Sequence, residues 1–218
     1  MYQPPHFRED RIEVQHGLIR SHPLGLLITA GPGGLQANPI PFLVYGDLTA
    51  DHAPFGTLRA HMARGNPQWR ELAAVNECLI VFQGPQQYIT PSWYPTKHEH
   101  GKAVPTWNYV TVHAWGAPQV IEDLGWLRRQ VEDLTNLKEG GLPKPWKVDD
   151  APEQYLASQL KGIIGVEIPI ARIEGKWKVS QNRPEVDRDG VVAGLREGGE
   201  AQAAIMATLV TERGKVTN

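Results

Sequence analysis

Cysteine is almost missing from this 218-residue sequence, in which Cys78 stands alone. One thiol excludes an intrachain disulfide framework and a zinc cage of several thiolates, and it suits a reducing compartment. Long apolar runs are missing too, since nothing approaches the roughly 20 consecutive apolar residues that cross a bilayer. The first ten residues mix prolines with both signs of charge and lack the basic start and apolar run of a secretory signal. The expectation is a soluble cytoplasmic protein without a membrane partner. Neither sign of charge dominates: 22 Lys and Arg face 24 Asp and Glu, a net charge of -2 with neutral His. No basic field exists to hold a nucleic-acid backbone. No G-x-G-x-x-G follows a strand pattern, and neither a P-loop nor a G-x-S-x-G motif occurs. Rossmann, P-loop and serine-hydrolase readings therefore have no support.

What the chain does have is tryptophan, seven against four phenylalanines, with 18 prolines and 22 glycines. That punctuation predicts many turns and short strands. A helix is expected over 9–20, ending before His22-Pro23. A hairpin follows, with strands 24–29 and 36–45 and the turn Gly-Pro-Gly-Gly at 31–34, its prolines confined to an edge or entry. A strand at 56–61 leads through a polar turn to a short helix over 67–75. Extended segments at 77–83 and 87–89 flank a turn at Gly84-Pro85, and an irregular loop runs from 90 to 105. The strand 107–121 alternates Val110, Val112 and Ala114 with Tyr109, Thr111, His113 and Trp115, the period of a two-faced sheet. Asp123 caps a helix to 138 with Leu124, Leu127, Val131, Leu134 and Leu137 in one stripe. Helix 152–160, strand 163–174, a turn at Gly175, strand 176–179 and a helix over 200–211 complete the pattern. Strands without regular crossover helices predict an antiparallel α+β barrel. The domain reading is one domain over 1–218 whose helical extension occupies about 185–218.

Four clusters invite chemistry. Leu58 to Trp69 sets His61, Arg64 and Asn66 at a strand-to-helix turn, a donor set suited to a phosphate. It reads equally as a solvated, capped turn. Gln87 to Lys97, continued by 104–109, brings together Trp93, Trp107, three tyrosines, Ser92, Thr106 and Asn108, flat apolar faces mixed with short donors. The same aromatics also close barrel ends. Ser180, Gln181, Asn182 and Arg183 stand together after a strand, as a ligand lock or an ordinary turn. His98 and His100 on a charged loop tip have no third ligand nearby, so no metal is assigned. Cys78, within the apolar run 78–82, is expected to be a buried hydrophobe.

Met-Tyr-Gln-Pro-Pro-His-Phe at 1–7, His-Met-Ala-Arg-Gly-Asn-Pro-Gln-Trp at 61–69, Gly-Pro-Gln-Gln-Tyr-Ile-Thr-Pro-Ser-Trp-Tyr at 84–94, Val-Pro-Thr-Trp-Asn-Tyr at 104–109 and Lys-Val-Ser-Gln-Asn-Arg-Pro at 178–184 together resemble the PaiB family. Thr90 stands where the family pattern has serine, which keeps the hydroxyl. The resemblance implies an FMN-binding split β-barrel, antiparallel and Greek-key-like with peripheral helices, and a negative transcriptional regulator. It implies a homodimer with FMN at the interface. His61, Arg64 and Asn66 would hold the phosphate. Thr106, Trp107 and Asn108 would lie along the ribityl chain and ring edge, with Ser92 and Lys97 nearby, and Gln181 and Arg183 would reach across from the other subunit. A DNA partner lacks sequence support, because helix 123–138 balances Arg128 and Arg129 against Glu132 and Asp133, so a repressor role would be indirect. The reading is a flavin-dependent regulatory or redox-sensing protein. The alternatives are an FMN-dependent NAD(P)H oxidoreductase or flavin reductase and a haem-binding split barrel using His113 or His61.

Overall fold

The computed structural model describes residues 1–214. Nine strands are β1 (Arg8–Glu9), β2 (Leu24–Gly31), β3 (Gly34–Tyr45), β4 (Thr57–Ala63), β5 (Cys78–Ile89), β6 (Thr106–Gly116), β7 (Gln119–Ile121), β8 (Ile163–Pro169) and β9 (Arg172–Lys178). Seven helices are α1 (Ile12–Ser21), α2 (Gln68–Leu72), α3 (Lys97–His100), α4 (Leu124–Glu139), α5 (Glu153–Lys161), α6 (Glu185–Glu197) and α7 (Ala201–Gly214). The strands order as β1-β9-β6-β5-β2-β3-β4-β8-β7, and each strand pairing given below is antiparallel, the expected α+β class. Chain contacts divide the molecule into two compact units. The first comprises Met1–Arg11, Gln83–Val112 and Glu174–Asn218, and the second Ile12–Phe82 and His113–Ile173.

In the second unit the β2–β3 hairpin pairs Leu24 with Pro41 through Gly31 with Gly34. Gly34 at φ 92° closes the turn in a conformation open to glycine. β3 then passes to β4, but only from Phe42 to Tyr45. Pro39 and Pro41 thus occupy the stretch paired with β2 alone, where a missing N–H breaks no ladder. Leu58, Ala60 and Met62 of β4 are buried, whereas Arg59 and His61 point to the opposite face. Asp123 caps α4 by accepting from the Trp126 N–H at 2.7 Å. Leu127 on α4 packs with Val148, Leu156 and Leu160.

In the first unit, β1 pairs Arg8 with Lys176 of β9. The expected helix start therefore retreats to Ile12, since Glu9 turns inward and its Oε2 accepts from Arg11 at 2.7 Å and from Arg213. α6, which the sequence reading placed within the helical extension without marking it as a helix of its own, packs against α7 and buries Val191 and Leu195. Other boundaries move for local reasons. Gly84-Pro85 does not turn the chain, and β5 runs through it. Ala117-Pro118 breaks the expected strand 107–121 into β6 and β7. The turn expected at Gly175 falls instead between Pro169 and Arg172.

Candidate functional site

Within the first unit, one cavity of ≈ 130 Å³ gathers side chains from four separate stretches, the N-terminal one supplying Phe7. β6 supplies Thr106 and Asn108, β9 and the turn after it supply Lys178, Ser180 and Arg183, and the turn ending the 3-10 segment Pro91–Trp93 supplies Tyr94. Lys178 Nζ donates to Thr106 Oγ1 at 2.6 Å and to the Trp107 carbonyl at 2.5 Å. Burial lowers the Lys178 pKa from its ordinary value, helped by the charges of Lys176 and Arg183. Asn108 Nδ2 donates to Ser180 Oγ at 2.9 Å, and both residues are buried. Ser180 holds φ 66°, the only non-glycine residue described with positive φ. Such strain persists where the surroundings over-determine it, here through the Asn108 bond.

Tyr94 is 1% exposed, and its hydroxyl has no hydrogen-bond partner of normal geometry. The Arg183 guanidinium lies 4.8 Å from the ring centroid. Burial raises the Tyr94 pKa against the opposing influence of Arg183. Two glycines of α6 fix this loop. A Cβ on Gly190 would stand 2.0 Å from the Trp93 carbonyl oxygen, and one on Gly194 would stand 2.3 Å from the Trp93 indole. Asp187 adds a clasp, accepting from Thr96 N at 3.2 Å and Thr96 Oγ1 at 2.8 Å. No carboxylate lines the cavity among the described residues.

The remaining expected residues of this unit take other positions. Trp107 is 53% exposed beside Tyr88, their rings 6.0 Å apart and edge-on. Gln181 braces its own turn, accepting from Val179 N at 2.8 Å and donating to the Trp177 carbonyl at 2.5 Å. Ser92 is exposed and its N–H donates to Thr90 Oγ1 at 3.2 Å, while Lys97 opens α3. The His100 side chain lies outside the described residues.

His61, Arg64 and Asn66 belong to the second unit. His61 Nδ1 donates to Gln130 Oε1 at 2.5 Å. Arg64 Nη1 pairs with Glu122 at 2.8 Å and its Nε donates to the Lys161 carbonyl at 3.1 Å. Asn66 Oδ1 accepts from Gln68 N at 3.1 Å, and Trp69 Nε1 donates to the Arg64 carbonyl at 2.9 Å. The turn is thereby braced, while His61 Nε2, Arg64 Nη2 and Asn66 Nδ2 stay outside these bonds. Cys78 is buried, and burial pushes its thiol up to about 12, which leaves it an inert small hydrophobe.

Sequence reasoning reached Thr106, Asn108 and Arg183 but not Tyr94 or Lys178. The signal for Lys178 was its alternation with Lys176 on a strand whose intervening Trp177 is buried.

A sequence family described as "Putative FMN-binding domain" matches residues 1–172. An uncharacterized protein of Emericella nidulans, AN0679, is 36% identical over 247 residues, covering 99% of this chain and 98% of the relative. The Bacillus subtilis protein named protease synthase and sporulation protein PAI 2 is 32% identical over 226 residues, with 98% of both covered. Among solved structures, the flavocytochrome Anf3 of Azotobacter vinelandii superposes with a TM-score of 0.58 at 13% identity, over 78% of this chain and 68% of that one. At that identity the likeness is one of fold, the split β-barrel.

Proposed function

This chain belongs to the PaiB family of FMN-binding-domain proteins, and on that footing we propose that it binds a flavin, specifically FMN, as a regulatory or redox-sensing homodimer in the cytoplasm. The observation that carries the reading is the family match over 1–172, which takes in the 61–69 turn and the 104–109 strand. The donor chemistry of the turn fits a phosphate, since Arg64 Nη2 and Asn66 Nδ2 are donors outside the bonds that brace it, while His61, whose Nδ1 proton goes to Gln130, donates from Nε2 only in its doubly protonated form. Glu122, 60% exposed in its pair with Arg64, is no obstacle. An exposed pair contributes about 0–1 kcal/mol, so exchanging it for a phosphate costs little.

The other proposed contacts keep the roles implied by the resemblance. Thr106 and Asn108 offer a hydroxyl and an amide to the ribityl oxygens, and exposed Trp107 offers a flat face. Ser92 and Lys97 add a hydroxyl and a cation. Gln181 and Arg183 act from the second subunit. When bound, the flavin supplies reversible one- and two-electron transfer. The chain's residues bind and orient it.

The test is the absorbance spectrum of the purified protein through gel filtration. Flavin bands that co-elute with a dimer support the reading; a Soret band, or a colourless protein that does not take up added FMN, overturns it. NAD(P)H oxidation with and without FMN, measured beside DNA retardation over a range of salt, then separates regulator from oxidoreductase. Turnover without DNA binding removes direct repression.

A further inference from the structure

The cavity of the first unit contains more positive charge and more unused donors than its own structure requires. Lys178 directs two of its three N–H groups to Thr106 and Trp107. Arg183 lies over the Tyr94 ring and its side chain makes no described ion pair. Asn182 adds an amide at the wall. The acid whose charge acts on Tyr94 is Asp187, and its carboxylate is held by Thr96. Most telling is Tyr94 itself, a residue 1% exposed in the lining of this cavity, whose hydroxyl has no partner of normal geometry and only the Arg183 guanidinium beside it as a donor. A buried polar group left unmade is costly, and a native structure that keeps one there calls for an acceptor.

We propose that this cavity is an oxyanion site. It takes a phosphate or a small carboxylate whose oxygens accept from Tyr94 Oη and from the Lys178 and Arg183 cations. Charge-assisted bonds of this kind are the strong ones, and an arginine fork matches planar or tetrahedral oxyanions. The volume of ≈ 130 Å³ admits a group of that size and not a whole flavin, since pockets for drug-sized ligands run to roughly 300–1,000 Å³. The inference rests on the geometry of the first unit, and of the residues it assigns to the oxyanion it shares Arg183 with the flavin proposal.

The test titrates the purified protein, as isolated and after flavin removal, with inorganic phosphate and with acetate, followed by calorimetry. Saturable binding is expected. Tyr94→Phe should weaken phosphate binding about tenfold while leaving the ligand-free melting temperature unchanged or raised, because the lost hydroxyl had no partner. A merely structural tyrosine would not separate those two readouts. Lys178→Met should weaken binding further. Binding to the flavin-loaded protein identifies a free oxyanion as the ligand. Binding blocked by FMN but not by riboflavin identifies the flavin's own phosphate, and either result supports an oxyanion site. No saturable binding in either form, or binding untouched by both substitutions, overturns it. Flavin content, read separately by absorbance, keeps that outcome distinct from a failure of the flavin proposal.

Discussion

The cations at the two candidate sites are held in different ways. In the second unit Arg59 meets Glu167 at 2.6 Å and Arg64 meets Glu122 at 2.8 Å, each a cation answered by a carboxylate. In the first, Lys178 faces a hydroxyl and a carbonyl, and Arg183 faces the Tyr94 ring. A carboxylate cancels the charge it pairs with, whereas carbonyl dipoles and ring faces solvate a cation and leave its field in place. The difference teaches that a basic residue in a promising motif says little about anion binding until its partner is known. The first unit does contain a neutralised set, Glu9 with Arg11 and Arg213, so its bare cavity charges are not for want of an acid in the unit.

The comparison breaks most visibly if the loop carrying Tyr94 loses its seat. Gly190→Ala drives a Cβ to 2.0 Å from a backbone carbonyl oxygen, which cannot swing aside as a side-chain tip does. We expect a loss of about 3 kcal/mol or more in denaturant unfolding, at the upper end for overpacking. Unchanged stability would mean that α6 does not hold the loop.

The next effect concerns the neutralised set. Burial raises the Glu9 pKa, but hydrogen bonds from the Arg11 side chain and backbone and from Arg213 outweigh it, holding the carboxyl at about 2 against an ordinary 4.5. A depressed carboxylate stabilises fully above its unfolded value. Stability should therefore fall as pH drops from about 4.5 to about 2, by about 3 kcal/mol in all. Glu9→Gln should remove most of that slope, and denaturation midpoints between pH 2 and 5 measure it. An identical slope in the variant would assign the acid sensitivity elsewhere.

A smaller effect probes the strained turn. Ser180→Ala keeps the positive φ and leaves the buried Asn108 amide unpaired, a cost of about 1–3 kcal/mol. Ser180→Gly loses the same bond but relieves the backbone, so it should be the milder change. Thermal melts of the two variants give the order. Equal losses would show that the φ carries no strain of consequence.

Much of the fold was legible because its signals were local. The Asp123 cap and the leucine stripe marked α4 to within one residue, and the alternation at 109–115 marked β6. Legibility failed where tertiary packing overrode punctuation. Gly84 and Pro85 read as a turn, yet β5 carries them as strand residues. α6 was not marked as a separate helix within the extension because Gly190 and Gly194, poor helix formers in isolation, are there to admit Trp93. In the candidate sites the residue types could be read from short motifs, but their partners could not. Arg64 and Glu122 lie 58 positions apart, Asn108 and Ser180 lie 72 apart, and nothing local announces either pair. Tyr94 was legible only as a flat face of its stretch, since an unpartnered hydroxyl is visible only once the chain around it is folded.

The smallest expected change in stability comes from the residue with the largest proposed consequence for flavin. Arg64 is 39% exposed and its carboxylate partner 60% exposed, so Arg64→Ala should cost less than about 1 kcal/mol. If Arg64 holds the FMN phosphate, the same substitution should weaken FMN about tenfold or more, because a charge-assisted contact to phosphate is lost. Riboflavin, which has no phosphate, should bind the variant and the parent alike. Lys178→Met gives the reciprocal reading: phosphate calorimetry should respond to it and not to Arg64→Ala if the two cation sets serve different anions. Fluorescence titration with FMN and riboflavin across both variants completes a two-by-two comparison. An unchanged FMN affinity in Arg64→Ala removes the phosphate from the 61–69 turn and makes the carboxylate pairing of that arginine its whole role.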